Sequence, residues 1–175
     1  MLTLANSLGC TSPVSLLRHK AMRLGIDSLA AAIGLAVTRG CRHYANPEGE
    51  SIPSAPGREK LSDEELVMLL LVGDYPCDLQ AVRCAAQLAR APGIVPSILV
   101  DLAIKEKATR TLAHIARAGI AHDSTGKEFW QEVLRLSGEP AHRAEPALPH
   151  WSRFVVMPGL QRNGQVAAHW LVPSR

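Results

Sequence analysis

The sequence predicts a mainly α-helical fold, and three observations support that class. Apolar residues recur at helical spacing in most segments, proline and glycine separate those segments, and residues that favour helix starts precede them. A helical bundle and a short, HEAT-like, right-handed array of helices both fit this pattern. Towards the end of the chain the pattern changes, and residues 153–172 are expected to form a C-terminal β-hairpin.

Length and composition indicate one compact domain. The chain has 175 residues, of which 47% are hydrophobic and 20% are charged, which excludes a wholly disordered, collagenous or multi-span membrane protein. A net charge of +3 permits contact with nucleic acid but does not argue for it. The first residues lack the pattern of a signal peptide, and the four cysteines are too scattered for a disulfide scaffold. We therefore expect a cytoplasmic protein with reduced thiols and no membrane association.

Residues 1–40 are expected to form an N-terminal helical hairpin. Pro13 suits the first position of a helix, Gly25 separates the two helices, and Asp27 is placed to cap the second one. Gly40 is expected to end that helix. The segment that follows, 41–60, contains three prolines and two glycines without periodicity, and is predicted to be a loop or linker.

Residues 61–138 are predicted to be the helical core. Ser62 and Glu65 have the spacing of a capping box, in which each residue satisfies a backbone N–H of the other. Asp78 is expected to cap the next helix, and Gly119 to end a later one. The expected helices are 62–72, 78–90, 96–104, 107–118 and 127–136.

Residues 139–175 are predicted to be a Pro-rich linker followed by the hairpin. The turn is placed at Asn163-Gly164, because this dipeptide is the strongest short hairpin signal. Both faces of the two strands are apolar, and two strands alone are marginal in water. We therefore expect the hairpin to pack on the helices or to pair with a second copy in a homodimer.

A repeat with a period of 27 residues is the most specific feature of the sequence. Residues 82–91 align without gaps to residues 109–118, and five of the ten positions are identical. Periods of this length are typical of stacked helical arrays. An ordinary bundle in which two helices share an Ala-rich face remains the alternative.

The same segment resembles the HEAT and leucine-rich-repeat-variant families. In these families a Val-Arg pair opens one helix and a Leu-Ala pair lies in the next, as do Val82-Arg83 and Leu102-Ala103 in this chain. The resemblance covers residues 78–122 and extends to Thr109-Arg110 in the second copy. It implies a binding scaffold and supplies no catalytic residues.

Two sets of side chains are candidates for binding a partner. Four arginines form two pairs, each with a spacing of seven residues on one predicted helix. All four would share one patch if the repeat helices stack, and that patch suits an acidic peptide or a phosphate backbone. Late aromatic residues form either the second half of the core or an exposed interface. The binding candidates are Arg83, Arg90, Arg110, Arg117, Trp151 and Trp170.

Catalysis has weaker candidates. His122 precedes Asp123, which is placed to orient an imidazole for base chemistry, and His114 lies within the predicted helix 107–118 that ends before them. No nucleophile motif accompanies them, and we predict no metal site and no cofactor.

The sequence therefore favours a non-catalytic protein-binding adaptor or scaffold that uses the Arg-bearing face, the hairpin or both. A nucleic-acid-associated protein that uses the same arginines is the alternative. A small enzyme that uses His114, His122 and Asp123 is less favoured.

Overall fold

The computed structural model describes residues 15–41, 60–72, 78–138 and 170–173. Seven helices lie within them, and the predicted mainly α-helical class is confirmed. In chain order they are α1 Leu16–Arg23, α2 Leu29–Thr38, α3 Asp63–Leu71, α4 Leu79–Leu88, α5 Pro96–Lys105, α6 Thr109–His122 and α7 Lys127–Ser137. In this part of the chain the helices are too short or too polar to span a bilayer.

The predicted C-terminal hairpin is not shown by the structure. Of its residues only 170–172 are described, and they adopt no strand. Trp170, expected in the second strand, is instead buried in the core, with its ring centroid 5.1 Å from that of Trp130 on α7. The remainder of the predicted hairpin, with the Asn163-Gly164 turn and Trp151, lies outside the described residues.

Side-chain caps mark the starts of the first four helices, α1 to α4. The capping box predicted at α3 is confirmed, since Ser62 Oγ accepts from Glu65 N at 3.1 Å and Glu65 Oε2 accepts from Ser62 N at 2.9 Å. Asp78 caps α4 as predicted. The prediction for α2 is wrong by one residue, because Ser28 rather than Asp27 accepts the bond from the first turn.

Gly119 corrects another prediction. It lies inside α6, which continues to His122, and therefore does not end the helix. A Cβ atom at Gly119 would collide with the indole ring of Trp130 on α7. A glycine is required here because α6 and α7 approach each other closely. The sequence alone predicts a helix end at this glycine.

Helices pack on both their next and their next-but-one neighbours along the chain, and the most extensive contacts join the adjacent pairs α6–α7 and α3–α4. In one row α1 packs on α3, α3 on α5, and α5 on α7, while α2 packs on α4 alongside that row. Thr111 of α6 lines a cavity together with Ala81 and Val82 of α4, so α6 lies on the same side of the row as α4. The two copies of the sequence repeat lie on α4 and α6. These two helices have fewer contacts with each other than the helix pairs named above.

The core lies between these helices and continues from α1 to α7. Its largest fully buried side chains include Leu61, Leu66, Met68, Leu88, Leu99, Leu112, Ile115 and Trp130. Two ion pairs attach the first helices to the start of α3. Lys20 of α1 contacts Glu65 at 2.6 Å, and Arg39, which follows α2, contacts Asp63 at 2.8 Å.

Candidate binding site

Asp123, in the turn between α6 and α7, is the centre of a buried polar cluster. Its side chain is 2% exposed. Oδ2 accepts from Arg90 Nε at 2.6 Å and from Trp130 Nε1 at 2.9 Å. Oδ1 accepts from Gly126 N at 2.9 Å and from Thr125 Oγ1 at 3.2 Å. A carboxylate has about four acceptor positions, and these four donors use them.

This arrangement gives Asp123 a structural position. Its carboxylate is turned towards the C-terminal end of α4 and the start of α7. His114 and His122 are half-buried on α6, eight residues apart, which corresponds to about 12 Å along the helix axis. The structure therefore places the two imidazoles two turns apart instead of gathering them around the carboxylate.

The four arginines predicted to share a patch occupy different environments. Arg90 is partly buried; it pairs with Asp123, and its guanidinium carbon lies 5.4 Å from the centre of the Phe129 ring. Arg83 and Arg110 are half-buried on α4 and α6, and Arg117 is exposed on α6. Arg90 thus contributes to the contacts of α7, and of the other three arginines Arg117 alone is exposed.

An apolar cavity of about 250 Å³ lies where α1, α2, α3 and α4 meet. Its wall is mainly aliphatic, and three charged side chains also line it, two of them exposed ones that precede α2 and α4 and one of them on α1. The aliphatic wall includes Met22, Ile26, Leu29, Ala32, Leu70 and Val82. Arg18, Asp27 and Asp78 line the same cavity. Thr111 of α6 lines it as well. The sequence did not indicate this site, because no motif marks a space that five separate helices enclose.

Cys41 and Cys84 lie side by side in the core. Cys41 Sγ donates to the carbonyl oxygen of Cys84 at 3.6 Å, and both residues are buried. The hydrogen bond with Cys84, burial, and the charges of Cys84 and Asp63 together raise the pKa of Cys41 far above its ordinary value. A thiol in such surroundings is a poor nucleophile. Among the described residues no three His, Cys, Asp or Glu side chains are grouped as a metal site would need.

Comparisons of this chain with protein-family models, with curated proteins and with solved structures found no match. The site is therefore interpreted from its own geometry.

Proposed function

We propose that the protein is a non-catalytic, protein-binding adaptor built from stacked helices. The observation that supports this proposal is the packing of each helix on its next-but-one neighbour from α1 through α3 and α5 to α7. Helical-repeat proteins use this arrangement to present extended surfaces to partners. The use of Asp123 within the core favours a binding role over catalysis by the neighbouring histidines.

The contact surface in this proposal is formed by Arg83, Arg110 and Arg117. They lie on α4 and α6, which are on the same side of the helix row. A guanidinium group binds a carboxylate through two parallel hydrogen bonds, so the expected partner is an acidic segment of another protein. Most of the predicted hairpin lies outside the described residues, and the hairpin has no part in this assignment.

Nucleic acid is the second ligand that these arginines suit, because phosphate is recognised by the same guanidinium geometry. The acidic protein segment is favoured because α4 and α6 carry no Phe, Tyr or Trp on which an unpaired base would stack. The two ligands also differ in their response to salt. Binding to nucleic acid falls steeply as salt rises, in proportion to the number of phosphates contacted.

The test compares two fluorescent probes on the full chain by anisotropy: a Glu-rich peptide and a single-stranded DNA oligonucleotide of equal charge. We expect the peptide to bind more tightly at about 0.15 M salt. Joint substitution of Arg83, Arg110 and Arg117 by Glu should weaken its binding at least about tenfold. Each of the three single substitutions is compared with Arg23→Glu, which changes the net charge by the same amount at an exposed position of α1.

Each other outcome of this experiment has a defined meaning. Tighter binding of the oligonucleotide, with a steep salt dependence, would replace the adaptor proposal with the nucleic-acid alternative. Equal loss of peptide binding in Arg23→Glu would show that net charge rather than this face binds the peptide. Absence of binding by both probes would contradict the assignment of the arginine face.

A further inference from the structure

The cavity between α1, α2, α3 and α4 is distinct from the arginine face and has the character of a ligand site. Protein interiors are close-packed and leave few spaces larger than a water molecule. This space of about 250 Å³ is walled by aliphatic side chains from four helices. Met22, one of the lining residues, is 51% exposed, so the cavity opens to the surface.

Its size limits the class of ligand. Sites for drug-sized molecules and cofactors are about 300 to 1,000 Å³, and an apolar cavity of about 150 Å³ accommodates benzene. A space of about 250 Å³ is therefore suited to a single mono- or bicyclic ring, or to a branched hydrocarbon of similar size. It is too small for a nucleotide cofactor.

The charges at the mouth limit the class further. Asp27 and Asp78 supply two carboxylates, and Arg18 supplies one guanidinium. Asp78 uses Oδ1 to accept from Gln80 N and Ala81 N, both at 2.9 Å, and so caps α4. Among the described residues that line the cavity, two carboxylates and one guanidinium group give a formal net charge of −1. An amine is therefore favoured there over a carboxylate.

We propose that this cavity binds a small organic amine, with an apolar ring in the aliphatic pocket and the ammonium group at Asp27 and Asp78. The ring is held by removal of apolar surface from water. The attraction between the ammonium group and the carboxylates favours cations over anions. Salt weakens this attraction, because the mouth is open to solvent. This site does not depend on the adaptor function proposed for the arginine face.

Three probes with the same ring test the proposal: indole, which is neutral, tryptamine, which is a cation, and indole-3-acetate, which is an anion. Titration calorimetry on the full chain should show tryptamine binding about fivefold or more tightly than indole-3-acetate, with indole between them. Methyl-labelled methionine locates the site. The Met22 methyl resonance should shift with each bound probe, whereas that of Met68, which is buried and does not line the cavity, should stay.

Matched variants separate the cavity from the rest of the surface. Ala32→Leu places extra carbon in the cavity and should weaken binding of all three probes at least about tenfold. Ala30→Leu is the same change on an exposed position of α2 and should leave binding unchanged. Asp27→Asn should reduce the preference for tryptamine over indole-3-acetate and leave indole unaffected. If Ala32→Leu lowers the melting temperature, Ala81→Leu on α4 serves as a second variant that fills the cavity.

Three results would overturn the proposal. The first is a failure of all three probes to move the Met22 resonance at millimolar concentration. The second is that Ala32→Leu and Ala81→Leu both bind the probes as tightly as the unsubstituted protein does, which would place the probes outside the cavity. The third is tighter binding of indole-3-acetate than of tryptamine, which would reverse the charge assignment at the mouth.

Discussion

Arg90 donates its Nε hydrogen to Oδ2 of Asp123 at 2.6 Å, across 33 residues of sequence. Trp130 donates to the same oxygen at 2.9 Å. One carboxylate therefore connects the end of α4, the turn after α6 and the first turns of α7. Gly126 completes the turn, and a Cβ atom there would meet both the carboxylate and the guanidinium group.

Removing the guanidinium group should destabilise the fold strongly. Arg90→Met keeps the apolar stem but leaves the buried Asp123 carboxylate without its counter-ion. We expect the free energy of unfolding to fall by about 3 kcal/mol, as for other broken buried pairs. Urea denaturation at neutral pH measures the change. Arg135→Met is the control, because Arg135 forms an exposed pair with Glu132 and its loss should have little effect. Equal stability of the two variants would contradict the structural role of the Arg90–Asp123 pair.

The sign of the change in stability in Gly119→Ala distinguishes helix propensity from packing. Helix propensity alone predicts that Gly119→Ala stabilises α6 by up to about 1 kcal/mol. The structure predicts the opposite, because the new methyl group would collide with the Trp130 indole. We expect a loss of about 1 to 3 kcal/mol, typical of overpacking. Thermal and urea unfolding measure it, and Ala121→Gly, on an exposed position of the same helix, calibrates the propensity effect.

A stabilised Gly119→Ala variant would show that α6 and α7 can separate at no cost. The variant would then report helix propensity only, and the close contact between Gly119 and Trp130 would not limit the packing of these helices.

Several elements could be predicted from the sequence because their causes are local. The capping box of Ser62 and Glu65 and the cap at Asp78 each depend on residues two or three positions apart. Gly25 and Gly40 follow α1 and α2 with φ values of +73° and +103°, conformations that glycine adopts without strain. Such features can be predicted because the residues that cause them are close together in the sequence.

The features that the sequence did not reveal depend on contacts between distant segments. A glycine is typical of a helix end, and only the position of Trp130 shows why Gly119 is needed inside α6. Arg90 looked equivalent to the other repeat arginines until its pairing with Asp123 was visible. The cavity likewise needs residues from five helices to define it.

Loss of the capping box should weaken α3 measurably. Ser62→Ala removes the oxygen that accepts from Glu65 N, and it leaves that N–H without its side-chain partner. We expect the free energy of unfolding to fall by about 1 kcal/mol. Ser97→Ala is the control, since Ser97 is exposed in the first turn of α5 and provides no side-chain cap. Denaturation curves for the two variants should differ in midpoint with unchanged slope. Coincident curves would contradict the importance of the capping box.

The raised pKa of Cys41 predicts that the fold loses stability in alkali. The hydrogen bond with Cys84 and burial keep the Cys41 thiol protonated in the folded chain, whereas a thiol in the unfolded chain ionises near pH 8.5. This stabilising contribution is complete below that pH, and the free energy of unfolding should fall by about 1 kcal/mol per pH unit above it. Urea denaturation from pH 7 to 10 measures the slope, and Cys41→Ala should reduce it. Identical slopes in the two proteins would assign the alkaline loss to other groups.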